Sequence, residues 1–93
     1  MSETVEKTII GLTADLIEDW GLDVEVTPET TLRGDLGFDS SDIMQIFTAI
    51  SEHYRGVEFR FQELVMKDNK FVDDLTLDQI AVFVLKKLGA RAA

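Results

Sequence analysis

The sequence has no cysteine, and only one histidine, one proline and one tryptophan, in 93 residues. Without cysteine there is no disulfide, no thiolate nucleophile and no cysteine-ligated zinc or iron–sulfur centre. A single histidine, His53, excludes multi-histidine metal sites. With no partner cluster to make it a general base, His53 reads as a surface residue. No apolar run approaches the length needed to span a bilayer. Residues 1–7 are polar and acidic, where a secretory signal would be basic and then apolar. The expectation is a soluble cytoplasmic protein with no stable membrane insertion. Basic charge is also scarce, with 9 Lys and Arg against 18 Asp and Glu, a net charge of −9. Nucleic-acid affinity rests on neutralising phosphates with cations, so no nucleic-acid partner is expected.

What is present suffices for one modest core. The hydrophobic share is 45%, and the length suits one domain over residues 1–93, expected as a monomer. An acidic surface serves solubility and also steers a protein toward basic partner surfaces. Charge alone does not choose between the two.

Three segments carry helical periodicity. In the first, residues 4–20, Val5, Ile9, Leu12, Leu16 and Trp20 fall on one face, with Ile10 and Ile17 at its margin. Glu3 and Glu6 suit its positive dipole end, and Gly21 is a C-terminal stop. In the second, residues 40–54, Ile43, Ile46, Phe47, Ile50 and Tyr54 form the stripe, and Gly56 ends it. Tyr54 reads as a core residue with a wet hydroxyl rather than a catalytic acid. The last helix, 77–88, has the clearest start. Thr76 and Gln79 form a capping-box pattern, with Leu75 and Ile80 at the staple positions. Leu77, Ile80, Ala81, Val84 and Leu88 make its buried face, and Gly89 stops it before a frayed tail, 90–93.

Between the first two helices lies a long loop, 21–39, with a turn at Thr27-Pro28-Glu29-Thr30 and core anchors at Leu32 and Leu36. Residues 57–72 make an extended connector and a short helix at 62–67. Within it, Val57 to Phe61 alternate like a strand that has no partner. Asp68-Asn69-Lys70 reads as a turn, after which Phe71 and Val72 return to the core. The fold class expected is all-α, a small antiparallel helical bundle of three main helices with a short helix before the last.

Few chemistries fit. The carboxylate pairs Asp39/Asp42 and Asp73/Asp74 read as solvated faces in so acidic a chain. The calcium-loop pattern with its closing Glu is absent. Ser40 has no neighbouring histidine or lysine to deprotonate it, so the chain is not expected to be an enzyme. The stretch Leu36-Gly37-Phe38-Asp39-Ser40-Ser41-Asp42 nevertheless puts a serine between carboxylates at a helix start. Such a serine either starts a helix or is modified by another enzyme.

The run Leu36-Gly37-Phe38-Asp39-Ser40 closely resembles the signature of the acyl carrier protein family, in which Leu-Gly precedes an Asp-Ser pair opening the second helix. The resemblance extends over most of the chain: the first amphipathic helix, Thr31-Leu32, Asp35-Leu36-Gly37, the apolar-striped second helix, the short third segment and Leu75-Thr76-Leu77. It implies a non-catalytic carrier. A phosphopantetheinyl transferase using magnesium would place 4′-phosphopantetheine from coenzyme A on Ser40. Acyl groups would then ride as thioesters on the arm's thiol, which also accounts for the missing cysteine. Asp39 would cap the helix and help hold the transferase's metal; the chain itself is expected to hold none. Acyl-transferring, acyl-activating or condensing enzymes of fatty acid, lipid or polyketide biosynthesis would be the other partners.

Ser41, Asp42, Met44, Gln45 and Glu52 are the expected partner-binding residues. Ile43, Phe47, Ile50, Phe59, Phe61 and Leu64 are candidates for lining an acyl pocket, against the plainer reading that the connector's apolar residues are core filler. Three departures mark a specialised carrier: Ser41 where the family usually has an apolar residue; Gln45, Ser51 and His53 where acids are common; and a longer connector. Ser41 is also the alternative acceptor, although the register from Leu36-Gly37 favours Ser40. An acidic helical interaction module, with Ser40 only a helix N-terminal residue, is the rival from another class. A polyketide or peptidyl carrier is a third possibility, and the Gly-Phe-Asp-Ser run favours the acyl type over the peptidyl.

Overall fold

The elements follow in the order α1 (Ser2–Asp19), α2 (Ser40–His53), α3 (Gln62–Val65), β1 (Met66–Lys67), β2 (Lys70–Phe71) and α4 (Leu77–Ala92). They come from a computed structural model that describes residues 2–67 and 70–92. Asp68 and Asn69 of the expected turn lie outside the described residues, as do Ala93 and the side chains of Glu3 and Phe71.

α1 ends in a Schellman arrangement. Gly21 takes φ 78°, its N–H donates to the Glu18 carbonyl at 3.0 Å, and the Leu22 N–H donates to Ile17 at 2.9 Å. Its deepest line differs from the expected one. Val5, Ile9, Thr13 and Ile17 are buried, while Leu12, Leu16 and Trp20 are only partly covered. Thr13 tolerates that position because its hydroxyl donates to the Ile9 carbonyl at 2.9 Å, so that hydroxyl is not buried unpaired.

α4 starts as its sequence dictates. The Thr76 N–H donates to Gln79 Oε1 at 2.8 Å and the Gln79 N–H donates to Thr76 Oγ1 at 3.1 Å, closing the capping box. Its far end does not follow expectation. The helix passes Gly89, which lacks the positive φ of a stop, and continues to Ala92. A glycine within a helix costs only about 1 kcal/mol relative to alanine, and the strong helix formers beyond it offset that. α3 is shorter than expected, because Met66 and Lys67 leave it to pair with Phe71 and Lys70 in an antiparallel ladder. Residues 57–60 stay irregular and unpaired.

The edge contact between Trp20 and Phe38, ring centroids 5.3 Å apart, joins the end of α1 to the approach of α2, so these helices run in opposite directions. α4 starts at that same end: Leu75 and Ser40 line one cleft. Farther along α4, Lys87 meets Glu63 of α3, which follows the end of α2. α1 packs most extensively on α4 and also on α2. Ile9, Leu32, Ile46, Ile50, Leu77, Ile80 and Val84 are fully buried between them, each contributing about 1.5–3 kcal/mol.

The long loop is ordered because α4's approach holds it. Thr31 bridges Thr76, and the Leu32 N–H donates to Leu75 at 2.9 Å. The Leu77 N–H donates to Thr30 at 3.1 Å and the Asp78 N–H to Pro28 at 2.9 Å. Leu32, Leu36 and Phe38 are buried beneath it. The loop therefore delivers the start of α2 to a fixed place.

Candidate functional site

Asp39 and Asp42 define where α2 begins. Asp39, extended at φ −95° and ψ −176°, accepts from the Asp42 N–H at 2.9 Å, and Asp42 accepts from the Asp39 N–H at 3.2 Å. This reciprocal box uses one oxygen of each carboxylate. The N–H groups of Ser40 and Ser41, the first two helical positions, gain no backbone acceptor among the described residues. They point the positive end of the helix dipole at whatever occupies that end, an arrangement that favours an anion.

Ser40 is exposed and sits on the rim of an apolar cleft of about 120 Å³. Leu32 and Arg33 of the long loop, Ile43, Met44 and Phe47 of α2, and Val65, Val72, Asp74 and Leu75 of the later chain line the rest. Arg33 is exposed. Met44, at 60% exposure, stands at the edge of the cleft rather than inside it.

Asp74 holds the far wall. Its carboxylate accepts from the N–H groups of Arg33 at 2.9 Å, Gly34 at 2.9 Å and Leu75 at 2.8 Å. Partial burial pushes its pKa up, but these three bonds and one from the Thr31 hydroxyl outweigh that, so it lies below the ordinary aspartate value. The reading of Asp74 as a solvated carboxylate is corrected here: it staples the loop to the start of α4. Asp35 adds a local clamp, accepting from the Thr31 N–H at 2.9 Å while its own N–H donates to Thr31 Oγ1 at 2.9 Å.

The other residues singled out in the sequence fall into separate places. Ser41 and Gln45 are exposed on α2 and Asp42 is half-buried near Ser40. Glu52 is exposed three turns farther on, about 18 Å away at the helical rise. Of the pocket candidates, Ile43 and Phe47 line the cleft. Phe61 stacks on Phe47 with centroids 4.2 Å apart and planes 2° from parallel, and lines a neighbouring groove instead. Ile50 and Phe59 lie in the core, and Leu64 packs against it; these three line neither cavity. The long-range partners Arg33, Val65, Val72 and Asp74 were not among the candidates. Leu32 and Leu75 were signalled only as a loop anchor and a staple residue. Among the described residues no cluster of three or more His, Asp or Glu could hold a metal ion. No helix among them is long and apolar enough to cross a membrane.

The chain belongs to the family described as "Phosphopantetheine attachment site", which matches residues 7–76. No curated protein matches the chain, and no solved structure does. Domains of this family are sites of covalent 4′-phosphopantetheine attachment, typically act as non-catalytic carriers, and interact with phosphopantetheinyl transferases and acyl-handling enzymes. The geometry at the start of α2 fits such a group: an exposed hydroxyl, two free N–H donors for a phosphodiester, and an apolar cleft alongside.

Proposed function

We propose that this chain is a non-catalytic carrier of acyl intermediates, with 4′-phosphopantetheine attached to Ser40. The observation that carries this reading is the position of Ser40. It is exposed at the first position of α2, beside the Asp39 cap and on the rim of the cleft, within the span matched to the family. In the transfer, a bond forms between Ser40 Oγ and phosphorus, the diphosphate bond of coenzyme A breaks, adenosine 3′,5′-bisphosphate leaves, and the serine proton passes to the transferase. The bound arm supplies a thiol that carries acyl groups as thioesters. Asp39, with one oxygen outside the capping box, is free to meet the transferase's metal. The free N–H groups of Ser40 and Ser41 favour the phosphodiester, and the Arg33 guanidinium beside the cleft adds an opposite charge.

The carrier is a specialised one of fatty acid, lipid or polyketide biosynthesis, acting as a cytoplasmic monomer. Asp42 and Glu52 are the only acids in α2, and Ser41, Gln45, Ser51 and His53 are exposed there. That face suits a partner with fewer cations than one built for a row of carboxylates. Ser41, Asp42, Met44, Gln45 and Glu52 are its contact residues.

Incubation with coenzyme A, magnesium and a broad-specificity transferase, followed by intact mass, tests the assignment. The adduct is expected in wild type and Ser41→Ala and absent in Ser40→Ala. An adduct retained in Ser40→Ala and lost in Ser41→Ala would move the site by one residue. For the specialised role, malonyl loading by a fatty acid synthase transferase should be at least tenfold poorer than on that pathway's own carrier; equal loading would remove the claim.

A further inference from the structure

The cleft at Ser40 does not end on α2. Met44, Phe47 and Val65 line both that cleft and a second, open groove of about 740 Å³ that runs along α2 toward its C-terminal end. Phe47 and Phe61, stacked face to face, give the groove an apolar wall. Its far end differs in kind. Arg55, just past the end of α2, lines it there, and Arg60 of the connector lines it as well, two of only nine Lys and Arg in a chain of net charge −9. Glu52 is the only acid among the described residues that line it. Arg60 has an exposed ion pair with Glu58 at 3.6 Å, of a kind that yields readily to a better-placed carboxylate. Among the described residues no hydrogen bond or ion pair engages the Arg55 side chain.

We propose that this groove holds the end of the carrier's own cargo, and that the cargo is a short acyl group ending in a carboxylate. The inference rests on the attachment at Ser40. A ruler argument sets the length. His53, the last residue of α2, lies thirteen residues beyond Ser40, about 20 Å along the helical rise, and Arg55 follows it by two residues. The arm has about fourteen bonds from Ser40 Oγ to sulfur and reaches about 16 Å at the extension per bond of a peptide backbone. The remaining distance is spanned by an acyl chain of roughly four to six carbons on the same scale. A longer neutral chain gains nothing from the arginines. A terminal carboxylate takes a guanidinium's paired donors in their preferred geometry. In a chain of net charge −9 cationic seats are few, and this groove places two guanidiniums in one lining.

The test loads the full chain with glutaryl or pentanoyl arms from the corresponding coenzyme A thioesters, which match in carbon number but differ in the terminal carboxylate. Mass spectrometry first establishes the adduct, and the Nε–H signals of Arg55 and Arg60 are then followed by NMR. The glutaryl form is expected to shift both signals, and the pentanoyl form to leave them where the unacylated arm leaves them. In an Arg55→Gln/Arg60→Gln variant, the Phe61 and Val65 backbone amides should no longer distinguish the two loads. Loading with arginine signals alike in the two forms overturns the inference alone. Failure to load Ser40 overturns the attachment reading and this inference with it.

Discussion

Asp74 Oδ1 accepts a hydrogen bond from the Arg33 N–H at 2.9 Å, across 41 residues of sequence. With the bonds from Gly34 and Leu75, this one carboxylate fixes the loop that precedes Ser40. Asp74→Asn keeps the shape but loses the charge and an acceptor. It should cost about 1–3 kcal/mol in chemical denaturation and speed amide exchange at Arg33 and Gly34. The pH dependence has a definite sign. Because the folded pKa is lowered, the stabilisation is full above the ordinary aspartate range and is lost as pH falls through the depressed value. Asp74→Asn should flatten that acid limb.

Gly34 lies under the same staple. A Cβ there would stand 2.8 Å from Thr31 Oγ1 and 3.3 Å from Asp74 Oδ2, both already engaged in hydrogen bonds and unable to retreat without breaking them. Gly34→Ala should therefore cost about 1–3 kcal/mol. Gly11, within α1 and with nothing inside 4 Å of its Cβ position, is the control. Gly11→Ala should raise stability by about 0.5–1 kcal/mol. Equal effects of the two substitutions in thermal melts would contradict the packing described.

Asp39 is given two roles that separate by substitution. Asp39→Ala removes the cap and should cost about 0.5–2 kcal/mol. Asp39→Asn keeps an acceptor for the Asp42 N–H and should retain most of that stability. Both should slow phosphopantetheinyl transfer at least tenfold if the carboxylate meets the metal. A fast Asp39→Asn would reduce Asp39 to a cap.

Lys87 donates to Glu63 Oε1 at 2.6 Å and lies 5.3 Å from the Phe83 ring centroid. The Lys87 hydrogen bond lowers the Glu63 pKa. An NMR titration should find the Glu63 midpoint below the ordinary glutamate value and restored by Lys87→Met. Any stability from the pair is present above the ordinary glutamate range and fades as pH falls through the lowered midpoint. Glu63 is exposed, so Glu63→Gln should barely change a melting curve.

Local signals carried most of the architecture. The caps at Asp39 and Thr76 are contacts three residues apart, and both appear as reciprocal bonds. The apolar stripe of α2 buries Ile46, Phe47 and Ile50 as spaced. What the sequence did not reveal depends on tertiary partners. Thr13 is buried because an i−4 carbonyl satisfies it, which hydrophobic spacing does not register. Asp74 looked like one acid among many, since its partners are about forty residues away. The cleft wall at Val65 and Val72 depends on the turn-back of β1 and β2, two residues each and too short to leave a period. The glycine pattern places the end of α4 at Leu88, but Gly89 does not take the positive φ by which a glycine stops a helix, and the helix runs on to Ala92.

The central claim is that Ser40, rather than its neighbour or any other hydroxyl, bears the arm. Fragmentation mass spectrometry of the wild-type protein, co-expressed with a broad-specificity transferase, measures this directly. The account predicts that fragment ions place the phosphopantetheine on Ser40 alone and leave Ser41 unmodified. A modification mapped to Ser41 or elsewhere, or an unmodified Ser40 beside a control carrier fully loaded by the same transferase, would contradict it.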